Sequence, residues 1–431
     1  MRRTEADADS FWAASARSPA FAGEALQGDR VVDVAIVGGG FTGLSTALHL
    51  AEAGRSVAVL EARDIGYGAS GRNGGQVNPG LKYEEAALVK KFGPQGSAFH
   101  RLGQEAPDFL VDLVKRLGLD CDLRRPGLIR LAHNERALAT LRAAQAEFIG
   151  RGLPITPLEP KDIETLVGTD RYPGGWVDAR GANVHPLDLV RELARATAAA
   201  GAAIYPQSPA IRLARRNGGW IVTTQSGSLQ ARSVVVATNG YSDALVPGLA
   251  ASLLPVNSFQ VATAPLDEAL ARQILPQGHT VYDSRRLILY FRRSADGRVI
   301  LGGRSSFSSS RGLGVKRADY SVLERVLTGI FPDLAGVPIT HRWTGLVCIT
   351  MDFLPHYHEP EDGLHVVLGF NGRGVALSHR AGAWMANHLL GRPDSGAIPR
   401  TPIRPVPFHT WREPMLNAAM QWNRILDRFG R

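Results

Sequence analysis

The sequence predicts an α/β fold of two structural units, one of them built on a parallel sheet. Two observations carry this. The chain has 431 residues, too many for one ordinary compact core. Near its start, an apolar run, a glycine-rich turn, a helical pattern and a second apolar run follow one another within about thirty residues, the β–α–β order that gives parallel strands.

Residues 1–30 are polar and irregular, with Phe11, Trp12 and Phe21 as candidate anchors. A strand is expected over Val31–Val37. In the helix that follows, Leu44, Leu48 and Ala51 fall at i, i+4 and i+7, and Gly54 ends it as a C-cap does. Ser56–Glu61 reads as the next buried strand. Residues 82–150 read as mainly helical, with Leu110, Val111, Val114 and Leu117 along one face, and 186–200 as an alanine-rich helix. Ala203–Val236 alternates like short strands, with turns at Asn217–Gly219 and Ser226–Ser228. Ser258–Ala264, Leu287–Arg292 and Val299–Gly303 read as strands. Gly369–Gly374 is a second glycine-rich turn before a helix through Leu390. Glu413–Phe429 is expected as an amphipathic helix carrying Leu416, Met420, Trp422 and Leu426.

Composition narrows the class. Apolar residues at 44% and charged residues at 21% are those of a soluble globular protein. Runs such as Val234–Ala237 fall far short of the ~20 residues that span a bilayer. Glu5, Asp7 and Asp9 near the start do not suit a secretory signal. Cys121 and Cys348 are too few for a disulfide framework or a cysteine-rich zinc site, so a reducing cytoplasm is expected. His356 and His358 lack metal-ligand spacing. The net charge of +9 comes largely from arginine. No dense basic run with interleaved aromatics accompanies it, so a diffuse arginine surface is expected rather than nucleic-acid contact.

Gly38, Gly40 and Gly43 fit G-x-G-x-x-G between strand and helix, with Phe41 and Thr42 inside it. The turn brings backbone close to a pyrophosphate, at a helix N-terminus whose dipole favours anions. Glu61, followed by Ala62 and Arg63, ends the second strand, where a carboxylate accepts from ribose hydroxyls and repels a 2′-phosphate. Gly68–Gln76 (GASGRNGGQ) decides for FAD over NAD. Ser70 and Asn73 supply donors and Arg72 supplies charge. Ala69, Gly74, Gly75 and Gln76 complete a loop suited to a pyrophosphate and a flat ring edge, which a nicotinamide enzyme does not need. The helix after Gly369–Gly374 can aim its N-terminus at a flavin. A strand ends at Thr238, Asn239 and Gly240, beside the cofactor or simply as a strand end.

These pieces resemble the D-amino-acid-oxidase-like flavoprotein superfamily, and most nearly its gamma-glutamylputrescine oxidase branch. The likeness is carried by Ser10–Ala14, Asp33–Leu44, Gly66–Gln76, Ala237–Tyr241 and Gly369–Gly374. It implies a glutathione-reductase-type, Rossmann-like FAD domain from residues 31–82, 160–245 and 341–395. It implies an α+β substrate domain from 83–159 and 246–340, whose antiparallel sheet roofs the flavin. Residues 1–30 would be an extension and 396–431 a helical tail. The motif residues above would lie near the cofactor, together with Gly345 and Gly372, Arg373, Gly374 and Val375. Backbone at Ala210 and Ile211 would meet the adenine. In similar sarcosine oxidases a cysteine holds the flavin covalently. Leu346 takes that position here and Cys348 is two residues off, so non-covalent FAD is expected. Ile300 takes the place of their oxygen-activating lysine, which leaves oxygen or another electron acceptor open.

The resulting expectation is hydride transfer to flavin N5 from a C–H beside an amine nitrogen, giving an imine that hydrolyses. No residue is assigned as general base. Tyr241, Gln260, Tyr290, Arg292 and Arg342 are pocket candidates, the arginines as clamps for a carboxylate or phosphonate. A primary amine such as a gamma-glutamyl polyamine leads. A secondary or N-methylated amino acid is the alternative, ahead of alcohol oxidation and of an RNA-modifying flavoprotein. A soluble monomer or homodimer is expected, free of membrane and nucleic acid.

Overall fold

A computed structural model of the chain describes residues 10–307 and 320–428. Its first sheet runs in the order His356–Glu361, Leu364–Leu368, Gly227–Val236, Gly28–Val37, Val57–Leu60, Ala203–Tyr205. All neighbours are parallel except the edge strand His356–Glu361. Val37 stands between Leu60 and Val236, so three strands end together where the first glycine turn begins. The first strand starts at Gly28 rather than Val31, because Gly28–Val31 pair with Gly227–Gln230. An antiparallel hairpin, Arg212–Arg216 and Gly219–Thr223, joins the outer half of Gly227–Val236.

The helix Phe41–Glu52 covers this sheet, and Gly374–Leu389 packs against it. At Gly382 a β-carbon would lie 2.7 Å from the Thr42 carbonyl, so the two helices touch backbone to backbone. Gln95–Leu117 lies on the same core through Phe99, Leu102, Ala106 and Leu110.

The second sheet has eight strands in the order Ile339–Ile349, Leu254–Thr263, Val299–Phe307, Tyr290–Arg293, Thr280–Asp283, Leu128–Leu131, Gly175–Asp178, Ile155–Leu158. It is antiparallel apart from the pair Thr280–Asp283 and Leu128–Leu131. Helix Ser321–Ile330 seals one face with Leu323 and Leu327 against Phe259, Val261, Phe291 and Leu301.

Some boundaries differ from expectation. Pro160–Val167 and Gly175–Asp178 pack with the second sheet, and Ile339–Ile349 is one of its strands, so 160–178 and 341–349 sit with the roof. Gln95–Leu117, expected with the roof, sits on the first sheet's core. The supposedly helical 82–150 contains the strand Leu128–Leu131. Trp422 faces outward at 61% exposure, whereas Met420 is buried; the helix Arg412–Arg428 thus docks by a narrower stripe than its sequence proposed. Among the described residues no helix is long and apolar enough to cross a membrane.

Candidate active site

A cavity of about 530 Å³ lies between the two sheets. One wall is the strand–turn–helix at Gly38, Gly40, Phe41 and Thr42. Gly38 has φ +113 and a β-carbon there would sit 2.8 Å from the Ala237 carbonyl, so only glycine fits. Gly43 does not line the cavity. It lets the helix close onto the strand, since its β-carbon would fall 2.0 Å from the Gly38 carbonyl. Glu61 accepts from the Gly39 N–H at 2.8 Å and the Arg63 N–H at 2.9 Å. Burial outweighs these bonds and raises its carboxyl above the ordinary range. Ala62, Arg63 and Ala210 also line this end. Ile211 does not: its N–H pairs with the Thr223 carbonyl and its side chain is exposed.

The loop Gly68–Gln76 forms the floor. Ser70 Oγ accepts from the Phe41 N–H at 3.1 Å, tying the two glycine-rich turns together. Asn73 spends its side chain on its own loop, donating to Ala69 O and Ser70 O and accepting from the Gly75 N–H. Arg72 Nε donates to Tyr67 O. Ala69, Gly74 and Gln76 reach the cavity; Gly75, with φ +71, turns away. Thr238, Asn239, Gly345, Gly372, Gly374 and Val375 also line it, but Gly240 packs on Cys348 and the Arg373 side chain reaches Pro79 O. Asn239 Oδ1 accepts from the Gly369 N–H at 2.9 Å, which locks the second glycine turn to the sheet end.

The roof supplies Ser258, Gln260 and Tyr290, with Leu346, Val347 and Cys348. Tyr290 bonds Ser258 Oγ at 3.0 Å and lies over Gly74. Burial pushes both Tyr241 and Tyr290 up to about 12, so both stay phenols near neutral pH. Gln260 Nε2 donates to Arg72 O at 2.7 Å, while its Oε1 is buried and unpartnered.

Neither arginine candidate is in the pocket. Arg292 is buried beneath Trp12, and its Nη1 donates to Val184 O at 2.7 Å and Gly75 O at 3.2 Å. Arg342 faces the other side of the roof and pairs with Glu324 at 2.6 Å. Strand alternation explains Arg342, which pairs with Val261 while the cavity-facing Gln260 pairs with Trp343; Arg292 shares the face of Tyr290, two residues away, and is drawn off the cavity by the carbonyls of Val184 and Gly75. Tyr67, Asn78, Ser258, Phe370 and Asn371 line the cavity without having been singled out. Tyr67 and Asn78 border the floor loop, which was the available signal. Ser258 is placed only by its pairing with Gly345.

The family model "FAD dependent oxidoreductase" (DAO) matches residues 33–388. Gamma-glutamylputrescine oxidoreductase of Escherichia coli is 34% identical over 98% of both chains. The chain belongs to the DAO family. The probable oxidoreductase OrdL of Rhizobium meliloti is 32% identical over 94% of both chains. The glycine oxidase structure from Geobacillus kaustophilus shares the fold at a TM-score of 0.74, with 24% identity, over 85% of this chain and 96% of that one.

A DAO family member is an FAD-dependent oxidoreductase, and the residues present fit that cofactor. The Gly38–Thr42 turn offers a pyrophosphate cradle that a β-carbon would fill, Glu61 a ribose acceptor, and Gly372–Val375 a helix N-terminus. Burial pushes the Cys348 thiol up to about 12, away from the reactive thiolate.

Proposed function

We propose that this enzyme oxidises a primary amine whose reacting carbon bears no carboxylate, in the manner of a gamma-glutamylputrescine oxidase. The observation that carries this reading is the neutrality of the roof. Ser258, Gln260, Tyr290 and Leu346 face the cavity there, and the two arginines that would clamp an amino-acid carboxylate are engaged elsewhere. The similarity to the Escherichia coli enzyme over the full chain supports the same class. It weighs against an N-methylated amino acid, whose carboxylate sits on the carbon next to nitrogen and needs a cation close by.

The chain's own part is to bind, orient and dry the amine. A buried neutral roof disfavours ammonium, so the amine enters with its lone pair free. Gln260, its amide turned by the bond to Arg72 O, offers Oε1 to the amine N–H. No histidine lines the cavity among the described residues, and none is needed for a proton that a neutral amine does not carry. FAD, held by the Gly38–Thr42 turn, Glu61 and the Gly68–Gln76 loop, would supply the hydride acceptor for the C–H beside the amine nitrogen. The substrate leaves as an iminium ion, which water converts to aldehyde and ammonium.

The test is an anaerobic panel followed by readmission of oxygen. Gamma-glutamyl polyamines and simple primary amines are expected to bleach the yellow enzyme, with sarcosine and glycerol 3-phosphate inert. Bleaching by sarcosine alone would overturn the reading. The rate of recolouring in oxygen then separates oxidase from dehydrogenase.

A further inference from the structure

The large apolar side chains that stand out into solvent are concentrated in one stretch. Of eleven among the described residues, four, Phe408, Trp411, Met415 and Trp422, fall within fifteen positions, and they include both exposed tryptophans. They lead into and run along the helix Arg412–Arg428. Trp411, Met415, Ala418 and Trp422 are all exposed, at i, i+4, i+7 and i+11, the spacing of one helical stripe. Met420, on the opposite side, is the buried anchor, and the helix rests on the strand Val299–Phe307. Phe408 adds a second observation. Its backbone is left-handed at φ +53, with the ring 74% exposed. That conformation is strained for a bulky residue, and here it holds a ring out in water, which is unfavourable unless something covers it. The same stretch is basic: residues 404–428 carry Arg404, Arg412, Arg424 and Arg428 against Glu413 and Asp427, in a chain of net charge +9.

We infer that the helix Arg412–Arg428 and the turn before it form a docking face for an anionic membrane surface, with Phe408, Trp411, Met415 and Trp422 entering the headgroup layer. No described helix is long and apolar enough to cross a bilayer. Lying in its surface asks only for an apolar, aromatic stripe on a helix that also carries basic residues. The charge chooses the occupant. Anionic headgroups attract the arginines, whereas a second copy packed face to face would set like charge against like charge. Area points the same way. Four such side chains offer roughly 500 Å², below the ~800 Å² that each partner brings to a standard interface. The docking face gives the enzyme a place of action and does not depend on which amine it oxidises.

The test uses the full chain loaded with flavin, and binding is read as yellow protein that sediments with vesicles. Vesicles of mixed phosphatidylcholine and phosphatidylglycerol are expected to carry the enzyme down at low salt, and those of phosphatidylcholine alone to bind it about tenfold more weakly. Trp411→Ser/Trp422→Ser should weaken binding to the mixed vesicles at least about tenfold. Both side chains are exposed, so flavin content and melting temperature should hold in that variant. Phe408→Gly should also weaken binding while raising the melting temperature, because glycine takes the left-handed turn without strain. Enzyme that stays in the supernatant with mixed vesicles would overturn the docking face. So would sedimentation that the double tryptophan variant leaves unchanged, since the attraction would then lie elsewhere on the basic surface. A dimer that Trp411→Ser/Trp422→Ser splits into monomers, with no vesicle binding, would give the face to a second copy and overturn the membrane as its occupant.

Discussion

Trp12 donates its indole N–H to the carbonyl of Asn73 at 2.8 Å, across 61 residues of chain. The neighbouring carbonyl, Arg72 O, accepts from Gln260 Nε2 at 2.7 Å and Trp343 Nε1 at 3.1 Å. One turn of the cavity floor is therefore held by the N-terminal helix Phe11–Ser15 and by two roof strands. The N-terminal segment is a structural part of the cofactor site.

Trp12→Phe should keep most of the buried ring and leave the Asn73 carbonyl unpaired, costing about 1–3 kcal/mol of stability. Trp12→Ala should cost more, about 3–5 kcal/mol. Thermal melts read the first effect and FAD fluorescence titration the second, which is a weaker FAD affinity in both variants. Unchanged FAD affinity in Trp12→Ala would show that the clamp has no bearing on the site.

Arg292 and Arg342 separate a buried structural arginine from a surface one. Arg292→Met deprives Val184 O of its donor under a buried Trp12 and leaves Gly75 O with the Val184 N–H alone, so stability should fall by about 1–3 kcal/mol and flavin content with it. Arg342→Met loses only a half-exposed pair with Glu324, for a cost below about 1 kcal/mol, and should leave KM for the amine where it was. A rise in KM with Arg342→Met would return that arginine to the pocket.

The cofactor half of the molecule was legible because its chemistry is local. Gly38, Glu61, Ser70 and Asn73 act through bonds within a turn or between adjacent turns, so spacing alone places them. The roof was legible in kind only. Gln260 and Tyr290 reach the cavity, but Arg292, two residues on from Tyr290, spends its charge on backbone carbonyls. That outcome depends on a buried tryptophan 280 positions earlier in the chain. The domain boundaries differ for the same reason: Gly175–Asp178 and Ile339–Ile349 find their places by pairing with strands remote in sequence.

The flavin should come away intact on denaturation. Cys121 and Cys348 are both buried, and burial pushes each thiol up to about 12, so neither offers a thiolate at neutral pH. Acid precipitation is expected to give a colourless pellet and a yellow supernatant with FAD in equimolar amount. A pellet that stays yellow, and turns colourless in Cys348→Ala, would reverse this.

Acid should loosen the fold before carboxylates titrate. His185, His358, His365 and His379 are buried, and burial is the main cause that lowers each, His185 to about 3 and the others to about 4. Local bonding agrees for His185, whose Nδ1 accepts from the Asp188 N–H as the cap of helix Pro186–Ala199; in His379 the Nδ1–H donated to Val375 O pulls the other way, and burial outweighs it. Above about pH 6.5 these rings are neutral folded and unfolded, so they leave stability unchanged. Below it the unfolded chain takes up protons that the folded chain refuses. Stability then falls as pH drops from 6.5 toward 4, by at most about 1.4 kcal/mol per pH unit for each histidine. The urea midpoint should therefore be lower at pH 5.0 than at pH 7.5. His379→Leu, which removes a fully buried ring with an unpaired Nε2, should make that difference smaller. A midpoint that does not move between the two pH values would mean the rings are solvated or already charged in the native protein.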